Sequence, residues 1–351
     1  MRGGIIETYG YRFTFGPWNI HEGADPFGPP VRPTRDFDDK LTVYKDLGFD
    51  AVQFHDDDAV PNLDDLSPAQ IREEAQAVRR KLEDRGLVAE FVAPRLWEHP
   101  MTIDGGFTAN DGKARAYALD RARKAVDIAN ELDTDLMVLW LAREGTYLRE
   151  SKDIVRATHQ LLEAIDMLLA YDPKLRIAIE PKPNEPMDMA FVPTIGHALA
   201  LGFQAQDPAR VGVLMESAHV VLAGLDPADE IGFAMACNKL WSVHLNDQNG
   251  AKYDQDRSFG SVNLRRAFNQ VRVMDQNRFW EVGMVGLDVK AIRTQPAGLA
   301  TKHLSNSMKV FLRLVELSRS LDQEVVDGLI EARDYEELDW LILAHLGLKS
   351  T

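Results

Sequence analysis

The chain has 351 residues, 45% hydrophobic and 27% charged, which is ample for a folded core and far from a disordered composition. Its 55 acidic and 40 basic residues leave a formal charge of −15, so neither a nucleic-acid nor a membrane partner is expected. Cys237 is the only cysteine, which excludes an intrachain disulfide and leaves too little sulfur for a thiolate zinc site.

The opening MRGGIIETYG lacks a secretory pattern and no apolar run is long enough to span a membrane. A cytoplasmic protein acting on a small molecule is expected. The first predicted strand covers 12–18 (RFTFGPW), with an amphipathic helix at 36–47 after it. Strands at 49–55 (FDAVQFH), 87–93 (LVAEFVA) and 135–141 (DLMVLWL) come next, separated by helical patterns at 68–85 and 113–132. The segment 68–85 has the clearest ends: Ser67 to cap, Pro68 at the first helical position, Gln70 as the capping-box partner and Gly86 to stop it. Helices at 151–170, 192–202, 227–237 and 262–274 then alternate with strands at 176–181 (RIAIEP), 211–216 (VGVLME), 240–246 (LWSVHLN) and 280–288 (WEVGMVGLD).

Eight βα repeats predict an α/β fold, a (β/α)₈ TIM barrel over 1–307. A doubly wound open sheet is disfavoured because no Gly-x-Gly-x-x-Gly turn follows the first strand. Residues 308–351 read as a short C-terminal helical arm, whose Trp340, Leu341, Leu343 and Leu346 are expected to pack on another subunit. Folding back onto its own barrel is the alternative.

His55, Glu180, Glu216, His244 and Asp288 each fall at or near the C-terminal end of a different predicted strand, the face where barrel active sites gather. Singly, each reads as a structural polar group. Together on one rim, their charges need cations to offset repulsion and desolvation. Glu180 and Lys182 share EPKPNEP, where prolines stiffen the chain and a spacing of two puts both side chains on one side. Glu216 and His219 in MESAH, three apart, can face one centre. Asp254 and Asp256 in KYDQD can chelate from one side, unless the segment is simply a solvated acidic loop. HDDD at 55–58 also reads as a loop cap. Oxygen-rich ligands with one or two imidazoles favour Mg, Mn or Co. Two divalent cations per subunit, bridged by Glu216, are expected.

At these residues the chain resembles the xylose isomerase family, over roughly 10–310. The resemblance is carried by FGPW (15–18), DPFG (25–28), FHDDD (54–58), GGFTAND (105–111), REG (143–145), EPKPNEP (180–186), PTIGHALA (193–200), E-x-x-H (216–219), GAKYDQD (250–256) and LDVK (287–290). It implies a (β/α)₈ barrel with two divalent cations, usually acting as a homotetramer. By position, Glu180, Glu216, Asp288 and residue 244 would hold the first cation, and Glu216, His219, Asp254 and Asp256 the second. Lys182 would contact the substrate carbonyl, and His55 with Asp58 would assist sugar-ring opening. Trp18, Trp97 and Trp140 would form an apolar wall, with Trp97 where the family usually carries Phe. Phe27 matches a residue that reaches into a neighbouring subunit's site, and Lys290 would be a further substrate contact.

Three departures stand out. The gapless match puts His244 where the family has an aspartate, which is similar to rhamnose isomerases and ketose 3-epimerases; a small deletion would bring Asn246 there instead. Leu214 replaces a polar residue. The tail is much shorter than the family's, so a homodimer or a homotetramer is expected. The resemblance implies a metal-assisted hydride shift on an open-chain sugar. The alternatives are proton transfer, as in a rhamnose-type isomerase or ketose 3-epimerase, or metal-dependent sugar binding without turnover.

Overall fold

The computed structural model describes residues 2–251 and 253–348. Eight strands close into one parallel barrel: β1 (Phe13–Phe15), β2 (Ala51–His55), β3 (Val88–Ala93), β4 (Leu136–Trp140), β5 (Arg176–Glu180), β6 (Val211–Glu216), β7 (Leu240–His244) and β8 (Val285–Gly286). They neighbour one another in chain order, and β1 pairs with β8 to close the ring. Each lies within a predicted strand segment. These runs were legible because a parallel strand covered by helices is buried on both faces and reads as continuous apolar sequence.

The covering helices are α1 (Phe37–Leu47), α2 (Pro68–Asp84), α3 (Gly112–Glu131), α4 (Ile154–Tyr171), α5 (Ile195–Gln204), α6 (Pro227–Ala236), α7 (Leu264–Gln276) and α8 (Lys302–Ser320). Helix α2 begins with the expected capping box between Ser67 and Gln70. Between strands and helices lies the main core, with Phe13, Phe15, Phe49, Phe54, Phe268 and Phe311 buried in it. A smaller cluster, Phe91, Ala93, Leu136, Val138, Ala178 and Leu214, is packed separately.

Two strands carry an extra residue. Between paired Val52–Ala89 and Phe54–Val92, β3 has two residues, Glu90 and Phe91, opposite Gln53 alone. Between Val213–Leu240 and Leu214–Ser242, β7 has Trp241 in excess. Such bulges re-aim side chains. Above the barrel, Gly145–Thr146 pairs antiparallel with Met189–Ala190, tying the loop after β4 to the loop after β5.

Helix α8 crosses the expected 307/308 boundary, and its Leu304, Met308, Phe311, Leu314 and Val315 are buried in the main core. Two helices follow, α9 (Gln323–Ala332) and α10 (Tyr335–His345). Val326 and Ile342 are buried in the chain's own core, with Leu338, Leu341 and Leu346 packed against it. Trp340 stays 42% exposed. Among the described residues, no helix is long and apolar enough to cross a membrane.

Candidate metal centre and active site

Strand ends deliver the acids and histidines to one mouth. His55 ends β2, Trp140 ends β4, Glu180 ends β5, Glu216 ends β6 and His244 ends β7. Asp288 lies just beyond β8. The short helix Ser217–Leu222 starts directly after Glu216 and turns His219 back beside it. Asp254 and Asp256 come from the loop after β7, where Lys290 N donates to Asp256 O at 2.8 Å; Lys252 of that loop lies outside the described residues. The result is a cavity of about 700 Å³ lined by thirteen of the fifteen expected residues: Trp18, His55, Trp97, Trp140, Glu180, Lys182, Glu216, His219, His244, Asp254, Asp256, Asp288 and Lys290. Asp58 lies behind His55. Phe27 is not brought in: it sits on the Asp25–Gly28 turn, 85% exposed.

Glu216 is the hub. Three groups have ligand atoms within 4.8 Å of one another: Glu180–Glu216–His219, Glu216–His244–Asp288 and Glu216–Asp254–Asp256. His219 Nε2 lies 3.3 Å from Glu216 Oε1 and 3.1 Å from Asp254 Oδ2. His244 Nδ1 lies 3.4 Å from both Glu180 Oε1 and Glu216 Oε2, and 3.8 Å from Asp288 Oδ2. Asn246, the alternative for that place, does not line the cavity: its Nδ2 donates to Glu216 Oε1 (2.8 Å) and Asp256 Oδ1 (3.2 Å), while its Oδ1 accepts from Ala218 N (2.8 Å). It therefore orients two carboxylates. Lys182 Nζ pairs with Asp254 Oδ2 at 3.0 Å and Glu185 Oε2 at 3.2 Å. Lys290 pairs with Asp256.

The charge balance fits divalent cations. Burial, with Asp254 and Asp288 nearby, raises the Glu216 carboxyl well above its ordinary value despite His219. Burial and Asp254 do the same to Asp256. Burial alone would lower the His244 pKa, but Glu180, Glu216 and Asp288 hold it well above the usual range. Glu180 and Asp254 move the other way, His244 and Lys182 outweighing burial, so the shortage of positive charge falls on Glu216 and Asp256. His219 Nδ1, His244 Nδ1 and Asp254 Oδ1 are also buried without a hydrogen bond, and each is an atom type that ligates divalent cations.

The aromatic wall is continuous. Trp97 and Trp140 meet edge to face at 4.4 Å, His55 lies 4.2 Å from the Trp18 ring and 5.0 Å from the Trp97 ring. Trp18 has a polar task too: its Nε1 donates to Asp288 Oδ1 at 2.8 Å.

A sequence model of the xylose isomerase-like TIM barrel family matches residues 41–291. The chain belongs to that family. Among solved structures it is similar to a D-tagatose 3-epimerase-like protein (14% identity, TM-score 0.60, 87% of this chain and 99% of that one). It is also similar to a xylose isomerase domain protein from Alicyclobacillus acidocaldarius (16%, TM-score 0.58, 87% and 99%) and to 3-keto-D-glucoside 4-epimerase from E. coli (13%, TM-score 0.58, 85% and 99%). At these identities the likeness is one of fold.

In this xylose isomerase-like barrel, several cavity residues escaped the sequence reading. Arg95 contacts His55 Nδ1 through Nη2 at 2.7 Å, and pairs with Asp57 at 2.7 Å and Asp58 at 3.3 Å. Asp58 Oδ2 reaches the same Nδ1 at 2.9 Å. Glu98, Arg143 and Glu185 also line the cavity. Glu185 was legible, since it lies in EPKPNEP; Arg95 carries no motif that marks it. Of the HDDD acids, Asp56 serves the scaffold, accepting from buried Arg121 at 2.8 and 2.9 Å.

Proposed function

We propose that this chain is an aldose–ketose isomerase that needs two divalent cations, Mg, Mn or Co, and acts on an open-chain sugar. The single observation that carries the reading is that Glu216 belongs to all three candidate ligand groups, the arrangement one carboxylate needs to bridge two ions. The chemistry supplied by such a pair is Lewis-acid polarisation of adjacent sugar oxygens.

The reaction is internally balanced: hydrogen moves from C2 to C1 with its electron pair, a proton moves from O2 to O1, and no redox partner is consumed. Lys182, held by Asp254 and Glu185, offers a fixed positive charge to the oxygen that gains negative charge. Trp18, Trp97 and Trp140 keep water from the reacting carbons. With its Nδ1 hydrogen donated to Asp58 Oδ2 at 2.9 Å, and Asp58 in turn paired with Arg95, His55 keeps Nε2 for proton exchange during ring opening.

The test is a panel of pentoses, hexoses and deoxyhexoses with each cation, using substrate deuterated at C2. Retained label on the product supports the hydride route. Metal analysis on the same preparation should give two ions per chain, and none in Glu216→Ala. Full stoichiometry in that variant removes the bridge.

A second reading is favoured by His244, whose Nδ1 lies among Glu180, Glu216 and Asp288. A single cation there, with base-mediated proton transfer, suits a ketose 3-epimerase or a rhamnose-type isomerase. Extensive washout of the C2 label into solvent selects the isomerase form of this reading, and loss of a C3 label from a ketose selects the epimerase.

A further inference from the structure

Glu90 is a buried acid that makes no hydrogen bond or ion pair to any candidate ligand. It lies deeper in the barrel and lines a separate cavity of about 500 Å³ with Ala89, Leu136, Arg176 and Trp241. Two donors converge on it: Gln53 Nε2 onto Oε2 at 2.9 Å and Ser242 Oγ onto Oε1 at 2.8 Å. An ionised carboxylate only accepts. Gln53 therefore turns its amide nitrogen towards Glu90 and its oxygen the other way, where Oε1 lies 3.0 Å from His244 Nε2. An amide oxygen only accepts as well, so that ring nitrogen carries a hydrogen. The other, Nδ1, faces Glu180, Glu216 and Asp288.

We infer that Gln53 and Glu90 are positioning residues: the Glu90 carboxylate fixes the Gln53 amide, which keeps the His244 hydrogen on Nε2 and reserves Nδ1 for a divalent cation. Only the last clause rests on the proposed function. The strands are shaped for the contact. The extra residue in β3 is at Glu90 and Phe91, opposite Gln53, and the extra residue in β7 directly precedes Ser242. A neutral amide partner leaves the ring a neutral ligand, and an imidazole in the set favours Co or Mn over Mg. The opposite arrangement has a protonated Glu90 donating to Gln53 and Gln53 donating to Nε2. It puts the hydrogen on Nδ1 and blocks the cation. Burial pushes the Glu90 carboxyl above its ordinary range, while the hydrogen bonds from Gln53 and Ser242 and the nearby His244 favour its ionised form.

The full chain, cation-free and labelled with ¹⁵N-histidine, should display a slowly exchanging Nε2–H that His244→Gln removes. Gln53→Met should speed its exchange and weaken one of the Co²⁺ sites about 10–100-fold by calorimetry, with Mg²⁺ affected less. Glu90→Gln is isosteric and should act in the same direction, so the pair survives a folding failure of Gln53→Met. A ring hydrogen on Nδ1 alone, or Co²⁺ affinity and exchange rate unchanged in both variants, overturns the assignment. Should the wild type take up no Co²⁺ while Nε2–H stays slow, the isomerase reading falls and the orientation of His244 stands.

Discussion

At the residue scale, the acids near the cavity divide by what they touch. Asp56 and Asp58 stand two apart in one motif, yet Asp56 is fully buried against Arg121, whereas Asp58 is only partly buried and pairs with His55 and Arg95. Asp56→Ala would leave Arg121 buried without its closest carboxylate, and we expect a loss of about 3–5 kcal/mol in urea unfolding. Lys182→Met is the opposite case. It should keep cation and sugar binding and lower kcat by about 10²–10⁴-fold; an unchanged rate would remove Lys182 from the chemistry. His303 makes a pH prediction. Burial lowers its pKa to about 4, and Nε2 bonds Asn19 O at 2.9 Å. The unfolded chain takes up this proton near its ordinary pKa of about 6.5. Stability is therefore full above that value and falls as the pH drops towards 4. His303→Gln should lose roughly 3 kcal/mol less than the wild type between pH 7 and pH 4, read from paired denaturation curves.

At the element scale, most of the barrel was legible because strands and caps obey local rules. The helix forecast at 151–170 starts at Ile154 because Asp153 accepts from Val155 N and Arg156 N. The one forecast at 192–202 starts after Thr194, whose side chain accepts from His197 N. Ser67→Ala breaks the α2 capping box and should cost about 1 kcal/mol, measured as a shift in unfolding midpoint with cation stoichiometry unchanged. The candidate ligands were legible too, since each stands at a strand end or in a short spaced motif. What stayed hidden lies inside the barrel. Gln53 and Glu90 sit in runs that otherwise read as buried strand, and no local pattern announces the extra residues in β3 and β7 that bring Glu90 and Ser242 together. Arg95 was hidden for a related reason: its partners, Asp57 and Asp58, belong to another strand's loop.

At the scale of the whole molecule, α8 belongs to the barrel and α9 and α10 fold back on it. Tyr9, the last residue of a helix over Arg2–Tyr9 that precedes β1, donates to Glu316 of α8 at 2.6 Å, so the segment before the barrel is tied to its last helix. Removing 321–351 would uncover the surfaces that Leu321, Val326 and Ile342 bury. A truncated chain should melt earlier, by differential scanning calorimetry, while cavity residues remain in place. For assembly we propose a homodimer or homotetramer, supported by the exposure of Phe27. Sedimentation velocity should give a multiple of the chain mass, and Phe27→Ser should lower kcat/KM with the single-chain fold intact. A monomer with full activity would end that proposal.

The short antiparallel pairing above the barrel has a practical consequence. Gly145 faces Ala190 so closely that any side chain there would strike the backbone of Met189 and Ala190. Ala190 N also bonds Pro183 O at 3.1 Å and Phe191 N bonds Glu144 O at 2.9 Å, which locks the Lys182 segment to its neighbour. The two loops form one exchangeable cassette. A chimera that swaps 181–191 into another barrel without 143–147 would carry the right letters and mis-aim the lysine, whereas swapping both together should transplant its pose.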